Sequence, residues 1–420
     1  MKTGAAFFIA LRYLMGRARE GGRYLRGAAA GIALSLIPIV VTLIVADGMI
    51  RGITDRYLEL GTGHIQVINH MFPRQSALAI PDIETLNNLR GVWQEAHGLG
   101  ILVSTHASRG ATIRAVERSF LEDEGSLKFL NVISGERTLG TGSEVLLGEE
   151  LARQIGVEAG STVRIMTIRN STEGRFTPRL STFTVSGIIS SGYRELDSLW
   201  CIMSFEEGMR ILPETTSVFL TLKINDPYKG IDQAVRSLYD RLDPGYSIFS
   251  WDMLQYAQYS SYRSTRQLLL FIMALIVIVA AVNVSSATSM LVIDRQKDIA
   301  VFKAGGSKPA FTSGIFLWSA MLTGLAGSVM GLSIGLVIGV NINAILHGLE
   351  MVLSFISGLF NSDPVTILSS GYYLETIPVI VDGIAILLIG VFTVLCSVLA
   401  SWIPARRAGK LKPIEILRKY

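Results

Sequence analysis

The sequence predicts a membrane protein with four transmembrane α-helices and a large α+β domain inserted between helices 1 and 2. Half of its 420 residues are hydrophobic, and only 17% are charged. The chain also contains long runs without Asp, Glu, Lys, Arg or His, at 27–46, 267–293, 309–346 and 383–405. Each run reaches the roughly 20 residues with which a helix crosses the hydrocarbon core of a bilayer.

These runs and their charged borders divide the chain into segments. We expect, in order, a cytoplasmic N-terminal amphipathic helix at 1–26, a first span (TM1) at 27–50, the outer α+β domain at 51–262, TM2 at 263–293, a short cytoplasmic helix at 294–309, TM3 at 310–344, a second outer loop at 345–378, TM4 at 379–405 and a cytoplasmic tail at 406–420. The inserted domain is long enough to bury a core of its own.

Basic residues at both ends of the chain set the predicted orientation. They precede the first span at Lys2, Arg12, Arg17, Arg19, Arg23 and Arg26, and follow the fourth at Arg406, Arg407, Lys410, Lys412, Arg418 and Lys419. Because Lys and Arg flank spans on the cytoplasmic side, both termini are expected in the cytoplasm. The first span is expected to remain uncleaved, because no small-residue cleavage site closes its apolar run.

The outer domain shows short apolar strands that alternate with amphipathic helices, which predicts an α+β fold. The predicted strands lie at 145–147, 162–168, 181–189, 199–204, 218–224 and 246–251, and the predicted helices at 149–155, at 230–242 and in a segment that ends at 212. Gly148 and Gly156 bound the first of these helices.

A segment rich in Gly, Pro and small polar residues joins two of the predicted strands, at 169–180. Because it is too long for a tight turn, we expect it to project as a hairpin arm. Phe176 and Pro178 are then exposed beside Arg175 and Arg179, a mixture suited to binding another protein. A loop without a partner is the alternative that the spacing leaves open.

The charged segment from Asp294 to Ser307 follows TM2 directly. A short charged helix at the mouth of a span is best placed to contact a soluble protein. The chain has no Gly-x-x-x-x-Gly-Lys-Ser/Thr phosphate-binding loop, so any ATP that drives it is hydrolysed by another chain. The charge-free runs also argue against a proton- or ion-coupled transporter.

Other kinds of site find no support in the sequence. The five histidines show no metal-ligand spacing, and Cys201 and Cys396 fall in different regions, so neither a metal site nor a disulfide is expected. No nucleophile–base pair or carboxylate pair indicates an enzyme. The charges of the outer domain are mixed in sign and offer no surface for nucleic acid.

The third span carries a glycine every four residues, at Gly327, Gly331, Gly335 and Gly339. This spacing places the glycines on one helical stripe against which another helix can pack closely. We expect the stripe to pack within the subunit, and the alternative is a seam between two copies.

Several segments resemble the LolC/LolE family of lipoprotein-releasing ABC permeases, which belongs to a broader group with MacB and FtsX. The matching outer-domain segments are 64–67, 145–152, 156–160 and 187–197; the matching cytoplasmic segments are 295–306, 403–407 and 413–418. The cytoplasmic motifs are shared by the whole group, whereas the segment Gly187–Asp197 is more similar to the lipoprotein-releasing members.

The resemblance implies a permease subunit in the bacterial inner membrane, with the outer domain in the periplasm. It is expected to pair with a second permease, which is its LolC/LolE counterpart or itself, and with a LolD-like ATPase dimer that uses ATP and Mg. This chain itself is expected to bind no cofactor. An acylated lipoprotein enters sideways between spans one and two and passes to a LolA-like periplasmic chaperone.

The resemblance also assigns roles to residues. The segment at 294–309 becomes a coupling helix that contacts the ATPase, through Asp294, Arg295, Lys297, Asp298, Ile299, Phe302 and Lys303. The arm becomes a hook for the chaperone, through Arg175, Phe176, Thr177, Pro178 and Arg179. The residues expected to contact acyl chains are Ile37, Val41, Val45, Met49, Phe271, Met273 and Leu275.

Two functions outside lipoprotein release remain open. A MacB-like efflux permease would share the coupling helix but would work with an adaptor. An FtsX-like regulator would pass ATPase motion to a cell-wall hydrolase and move no cargo. The sequence also leaves open whether the chain is LolC-like, LolE-like or a permease that pairs with itself.

Overall fold

The computed structural model describes residues 2–15, 22–69, 89–140, 142–170, 176–242, 245–359 and 376–411. The chain forms two compact units. The first, called the helical unit here, comprises Met1–Met49, Tyr262–Leu353 and Ile377–Tyr420; the second, called the sheet unit, comprises Ile50–Ser261 and Ser354–Thr376.

The helices are numbered in chain order. They are α1 Lys2–Met15, α2 Gly22–Arg56, α3 Arg118–Glu122, α4 Glu124–Phe129, α5 Glu149–Ile155, α6 Arg194–Asp197, α7 Phe205–Ile211, α8 Ile231–Tyr239, α9 Trp251–Leu254, α10 Tyr256–Asp294, α11 Gln296–Ala304, α12 Pro309–Val340, α13 Ile342–Leu359, α14 Gly383–Ala400 and α15 Trp402–Lys410. A π-helical segment, Tyr57–Thr62, continues α2.

Within the described residues, four helical segments are long and apolar enough to cross a membrane. They are Gly22–Thr62, Tyr256–Asp294, Pro309–Val340 and Gly383–Lys410. Three of these segments contain a whole charge-free run, and Pro309–Val340 contains most of one. A helix without charged side chains can place its whole surface in hydrocarbon.

The core of the helical unit forms where α2 packs on α10 and α12. Ile32 and Leu36 of α2 join Val277 and Val284 of α10 in one buried cluster. The glycine stripe of α12 also faces α2: a Cβ atom at Gly331 would lie 2.8 Å from the carbonyl oxygen of Ala33. The stripe therefore packs within the subunit, and that prediction is confirmed.

The strands of the sheet unit form a ten-stranded sheet. They are β1 Ile65–Asn69, β2 Leu89–Val103, β3 Ser108–Val116, β4 Asn131–Gly135, β5 Glu144–Gly148, β6 Thr162–Asn170, β7 Phe176–Ser190, β8 Trp200–Ser204, β9 Val218–Ile224 and β10 Tyr246–Ser250. Their order is β10-β1-β9-β2-β3-β8-β5-β7-β4, and β6 pairs with both β2 and β7. The β3–β8 and β5–β7 pairs are parallel, and the others are antiparallel.

The predicted strands and helices of the outer domain are confirmed as elements. Strand β9 and helix α5 have the predicted bounds, and the others differ at one or both ends. Helix α5 begins after Gly148 and ends before Gly156, whose left-handed φ of 67° favours glycine. The sequence did not predict β1 to β4. Strand β2 was missed because it carries Gln94, Glu95 and His97 at its centre, where a buried strand usually has apolar residues.

The region after the third span differs from the expected loop. Helix α12 ends at Val340, with Asn341 as its cap, and α13 follows from Ile342 to Leu359. The side-chain amide of Asn341 donates to the Val337 carbonyl oxygen at 2.8 Å, which satisfies one of the last carbonyls of α12.

Candidate functional site

The predicted coupling segment forms the short helix α11. It follows the long helix α10, which ends at Asp294. Gly305 caps α11, and Gly306 follows with a φ of 80°, a left-handed conformation that glycine adopts without strain. Pro309 then begins α12 at a position where a proline costs no hydrogen bond. The sequence thus limits α11 to a short, sharply bounded helix.

One side of α11 is held by its own chain. The hydroxyl of Tyr13 donates to Asp298 at 3.2 Å, and the Arg295 guanidinium donates to the same carboxylate at 3.3 Å. Arg295 also lies over the Tyr13 ring, 5.0 Å from its centre. Burial and the neighbouring Asp298 carboxylate raise the pKa of Tyr13, so this hydroxyl stays protonated and remains a donor.

Two further residues of the predicted set anchor α11 by packing and by hydrogen bonds. Ile299 is 2% exposed and lies in a buried cluster with Phe316 of α12. The ammonium group of Lys303 donates to the carbonyl oxygens of Gly409, at 2.7 Å, and Leu411, at 2.5 Å. Lys303 therefore binds the end of α15 and does not belong to the exposed side of α11.

The other side of α11 is exposed. Asp294, Lys297 and Val301 are on the surface, and Val301 is 66% exposed. Phe302 is half-buried, edge-on to Phe311 with ring centres 6.5 Å apart. The structure therefore divides the predicted coupling residues into a set that fixes α11 and a set that faces outward. It also adds Val301, which the sequence analysis did not select.

The predicted arm is a hairpin between β6 and β7. The two strands pair from Thr162↔Thr184 to Asn170↔Phe176, so they extend through most of the segment at 169–180. Thr177 and Pro178 are exposed, and the Arg179 guanidinium donates to the Arg210 carbonyl oxygen at 2.5 Å. Arg175 and the side chain of Phe176 lie outside the described residues.

The sheet at the base of this hairpin presents an apolar row. Ile101 of β2 is opposite Met166 of β6, and Met166 is opposite Leu180 of β7, so the three side chains share one face. Ile168 and Pro178 form the next pair toward the tip. The exposed fractions are 40% for Ile101, 53% for Leu180 and 55% for Ile168. We call these five residues the arm row.

An apolar row of this kind is unusual on a surface in water. Single exposed apolar residues need no explanation, but contiguous apolar patches mark surfaces for another protein, a membrane or a ligand. Four of its five residues lie on the two strands of the hairpin that the sequence predicted to bind a partner. The geometry of the arm is therefore compatible with a docking surface that is broader than its tip.

The family of the chain follows from comparisons over its whole length. Residues 27–238, half of the chain, match the family model of the MacB-like periplasmic core domain, and residues 270–413 match that of the FtsX-like permease C-terminal region. The lipoprotein-releasing system transmembrane protein LolC of Xylella fastidiosa (strain 9a5c) is 29% identical over 98% of both chains. The chain belongs to the LolC/LolE family of ABC transporter permeases.

Other relatives of this LolC/LolE-family permease match over similar lengths. The protein named LolC of Neisseria meningitidis is 26% identical and covers 98% of both chains. The protein named LolE of Haemophilus influenzae is 23% identical and covers 99% of both chains. Both names thus occur among relatives that span the whole chain.

The residues predicted to contact acyl chains fall into three environments in this LolC/LolE-family permease. Ile37, Val41, Val45 and Met49 are half-buried along α2. Phe271 and Leu275 of α10 are 64% and 46% exposed. Met273 is only 6% exposed and packs in the cluster between α10 and α2, so it faces inward.

Sequence reasoning missed a buried charge network in the sheet unit. The ammonium group of Lys223, fully buried on β9, lies 2.9 Å from Glu59 and 2.5 Å from Asp123. Arg90 also pairs with Glu59, and His64 Nε2 lies 3.5 Å from the same carboxylate. Burial raises the pKa of Glu59, but hydrogen bonds from His64 and Arg90 and the charge of Lys223 outweigh it, so this pKa falls well below its usual range.

A second buried pair lies on neighbouring strands. Arg114 and Glu95 are each 1% exposed and form a charged hydrogen bond, and His97 Nε2 lies 2.6 Å from Glu95. Arg114 also donates to the Leu60 carbonyl oxygen at 2.6 Å. This contact holds the π-helical segment against the sheet. In the sequence, the one signal of such a network is Lys223 within the mainly apolar strand β9.

Charged residues also meet at one end of the predicted spans. Arg266 of α10 lies 2.8 Å from Asp47 of α2 and 3.2 Å from Asp382, the N-cap of α14. The helices extend past the charge-free runs, so α2 and α10 do carry charges near their ends. The absence of charge, which speaks against a proton- or ion-coupled transporter, is therefore a property of the runs and not of the whole helices.

The described residues offer no group of three or more His, Cys, Asp or Glu that could hold a metal ion. Cys201 is fully buried, and burial raises the pKa of its thiol well above the usual range. A buried thiol with a raised pKa is a poor nucleophile. Cys201 is therefore a core residue of the sheet.

Proposed function

We propose that this chain is the permease subunit of an ATP-driven complex that extracts acylated lipoproteins from the outer leaflet of the bacterial inner membrane and passes them to a periplasmic chaperone. Both termini lie in the cytoplasm, and the sheet unit lies in the periplasm. ATP and Mg are bound by a separate ATPase dimer, and this chain binds no cofactor. A second permease, either a counterpart or another copy, completes the complex.

The observation that carries the proposal is the arm row on the β6–β7 hairpin and the adjacent β2, in a chain whose full-length relatives are named as parts of lipoprotein-releasing systems. A cargo with acyl chains needs a receiver that keeps those chains out of water. An exposed apolar surface with Arg179 at its edge can bind a soluble receiver by apolar contact, with polar groups at the rim.

The energy source fits the same proposal. Removing acyl chains from a bilayer costs about 0.8 kcal/mol for each CH₂ group, which is more than binding at a small surface can supply. The ATPase supplies this energy through the exposed side of α11, where Lys297 and Val301 face outward. The anchored side of α11 passes its movement to α1, α12 and α15 through Tyr13, Ile299 and Lys303.

The cargo enters from the membrane between spans one and two. Phe271 and Leu275 present apolar surface on α10, and both can contact acyl chains without repacking. Met273 contributes by filling the contact between α10 and α2. Apolar contacts tolerate chains of different length, because they set no fixed hydrogen-bond pattern.

The proposal is tested by photocrosslinking in intact cells, with a photoreactive amino acid at position 178 in the arm and at position 49 in the first span. A matched control carries it at Val132, an exposed apolar residue on β4 that is outside the arm row. Capture of a soluble lipid-binding chaperone at 178, but not at 132, and of acylated lipoprotein at 49 supports lipoprotein release. Capture of an adaptor or a hydrolase at 178, without lipoprotein at 49, favours a MacB-like exporter or an FtsX-like regulator instead.

A further inference from the structure

The exposed side of helix α13 is mainly apolar, and its less exposed side mixes polar and apolar residues. Its less exposed positions include the polar residues Asn343 and Glu350, whereas its exposed positions are mainly apolar. In a helix that packs on a protein in water, the apolar side is the buried one. The surroundings of the outward side of α13 are therefore expected to be apolar.

The inward side of α13 is fixed by specific hydrogen bonds. The Asn343 side-chain amide donates to the Ile377 carbonyl oxygen at 2.9 Å, and the Ile377 N–H donates back to Asn343 at 3.1 Å. This two-way contact ties the first turn of α13 to the chain just before α14. Polar contacts thus help to fix which side of α13 faces outward.

The outward side carries large apolar residues along the first three turns. Ile345 is 44% exposed, Leu349 is 47%, Met351 is 75% and Val352 is 55%. The positions 345, 349 and 352 have the spacing of one helical face. His347 lies at the edge of this face, 3.3 Å from Glu350, and it is the only ionisable residue among the exposed positions of α13.

This apolar face continues the exposed surface of the preceding span. Val337 and Val340, at the end of α12, are 62% and 46% exposed. Helix α12 has 32 residues, so it is about 48 Å long, and its end at Val340 is a full membrane thickness away from its start beside α11. The face of α13 therefore begins where a lipid-facing surface reaches the opposite side of the membrane.

We propose that α13 lies in the interface between the membrane and water, on the side opposite to α11, with Ile345, Leu349, Met351 and Val352 inserted among the lipids. Between Ile342 and Leu359 the sequence has no Lys or Arg. Membrane contact therefore depends on burial of apolar surface and not on attraction to anionic headgroups. The helix fixes the outer end of α12 at the level of the headgroups.

The test uses the full-length chain in phosphatidylcholine nanodiscs, in a Cys201→Ala/Cys396→Ser background. A fluorescent probe is attached to Leu349→Cys or Val352→Cys. Leu387→Cys, 65% exposed on the span helix α14, serves as the lipid-facing reference, and Arg118→Cys, on the surface of the sheet unit, as the aqueous reference. Quenching is measured with spin-labelled lipid and with iodide.

If α13 lies in the interface, the spin-labelled lipid reduces probe emission at 349 and 352 severalfold more than at 118. Iodide then reduces emission more at 118 than at 349 and 352. Replacing part of the neutral lipid by phosphatidylglycerol leaves the quenching unchanged. Iodide access at 349 and 352 equal to that at 118 would overturn the proposal. Shielding from both quenchers only in nanodiscs that hold two copies would also overturn it and would assign the face to a second chain.

A second measurement needs no substitution. The unaltered chain is photolabelled in nanodiscs that contain a diazirine-bearing phosphatidylcholine, and the labelled residues are located by mass spectrometry. Labels on Leu349 and Met351, as on Leu387, support the proposal. Labels on the spans without any on α13 contradict it.

Discussion

Tyr13 donates its hydroxyl hydrogen to Asp298 at 3.2 Å, and this bond joins the N-terminal helix α1 to the coupling helix α11. The two residues are 285 positions apart in sequence, so no local pattern predicts the contact. With Arg295 on the same carboxylate, the bond fixes the rotation of α11 about its axis. This rotation determines that Val301 faces outward and that Ile299 faces inward.

The first prediction separates the outward side of α11 from its inward side. Val301→Asp is expected to leave the melting temperature of the chain nearly unchanged, since exposed substitutions shift stability by within about 0.5 kcal/mol. It should abolish co-purification of the ATPase, because it places a charge in the proposed contact. Ile299→Ala should instead destabilise the helical unit by about 2–5 kcal/mol. Retention of the ATPase by Val301→Asp would contradict the assigned contact surface.

The coupling helix shows how far a sequence can predict a site. The charges at 294–303 correctly predicted a short helix next to a span, because a charged segment cannot enter lipid. Composition could not separate Lys297, which is exposed, from Lys303, whose partners Gly409 and Leu411 are more than 100 residues away. Roles that depend on distant partners cannot be inferred from local sequence.

The sheet unit shows the same limit. Apolar segments predicted strands such as β9 and β5, which ends at Gly148, but β2 was hidden by Glu95 and His97. Their charges are tolerated at its centre because Arg114 on β3 pairs with Glu95. Since β2 was not predicted, neither was Ile101 in the arm row. The hairpin itself was predictable, because the Gly- and Pro-rich segment between two strands is local.

The second prediction concerns the buried lysine of β9. Lys223→Met should destabilise the sheet unit by about 3–5 kcal/mol, because Glu59 and Asp123 lose the fully buried cation that they share and keep only the partly exposed Arg90. Lys229→Met, an exposed lysine of the same region, is the matched control and should have little effect. Thermal unfolding, together with hydrogen exchange of peptides from β9, measures the stability of both variants. Equal behaviour of the two variants would show that the network is not energetically important.

The third prediction is a dependence of stability on pH. Burial by itself raises the pKa of Glu95, but Arg114 and His97 outweigh it and lower this pKa to about 2. Because the folded-state pKa lies below the usual value near 4.5, this stabilisation is complete above that value and is lost as the pH falls from 4.5 toward 2. Melting temperatures of the sheet unit across this range should therefore decrease with acidification.

Glu95→Gln tests the origin of this pH dependence. It should be less stable than the unaltered chain near neutral pH and should lose less stability on acidification. Glu158→Gln, at an exposed position, should retain the full dependence. A Glu95→Gln variant with an unchanged slope would assign the acid sensitivity to other carboxylates.

The fourth prediction tests the glycine stripe. Gly331→Leu inserts a side chain whose Cβ atom would lie 2.9 Å from the Leu36 Cβ atom, so α2 and α12 must separate. Overpacking of this kind costs about 1–3 kcal/mol. Gly314→Leu in the same helix meets open space and should be neutral or slightly stabilising, by up to about 1 kcal/mol. Equal melting temperatures of the two variants in detergent would mean that the helices do not pack as described.

The most direct test of the account is lipoprotein release from proteoliposomes that contain this chain, its second permease and the ATPase, with a soluble chaperone outside. Transfer of the acylated lipoprotein to the chaperone is expected only with ATP. Leu180→Asp in the arm row should abolish transfer while leaving ATP hydrolysis intact, with Val132→Asp as the unaffected control. Complete transfer by Leu180→Asp, or no transfer by the unaltered complex under conditions where it hydrolyses ATP, would contradict the account.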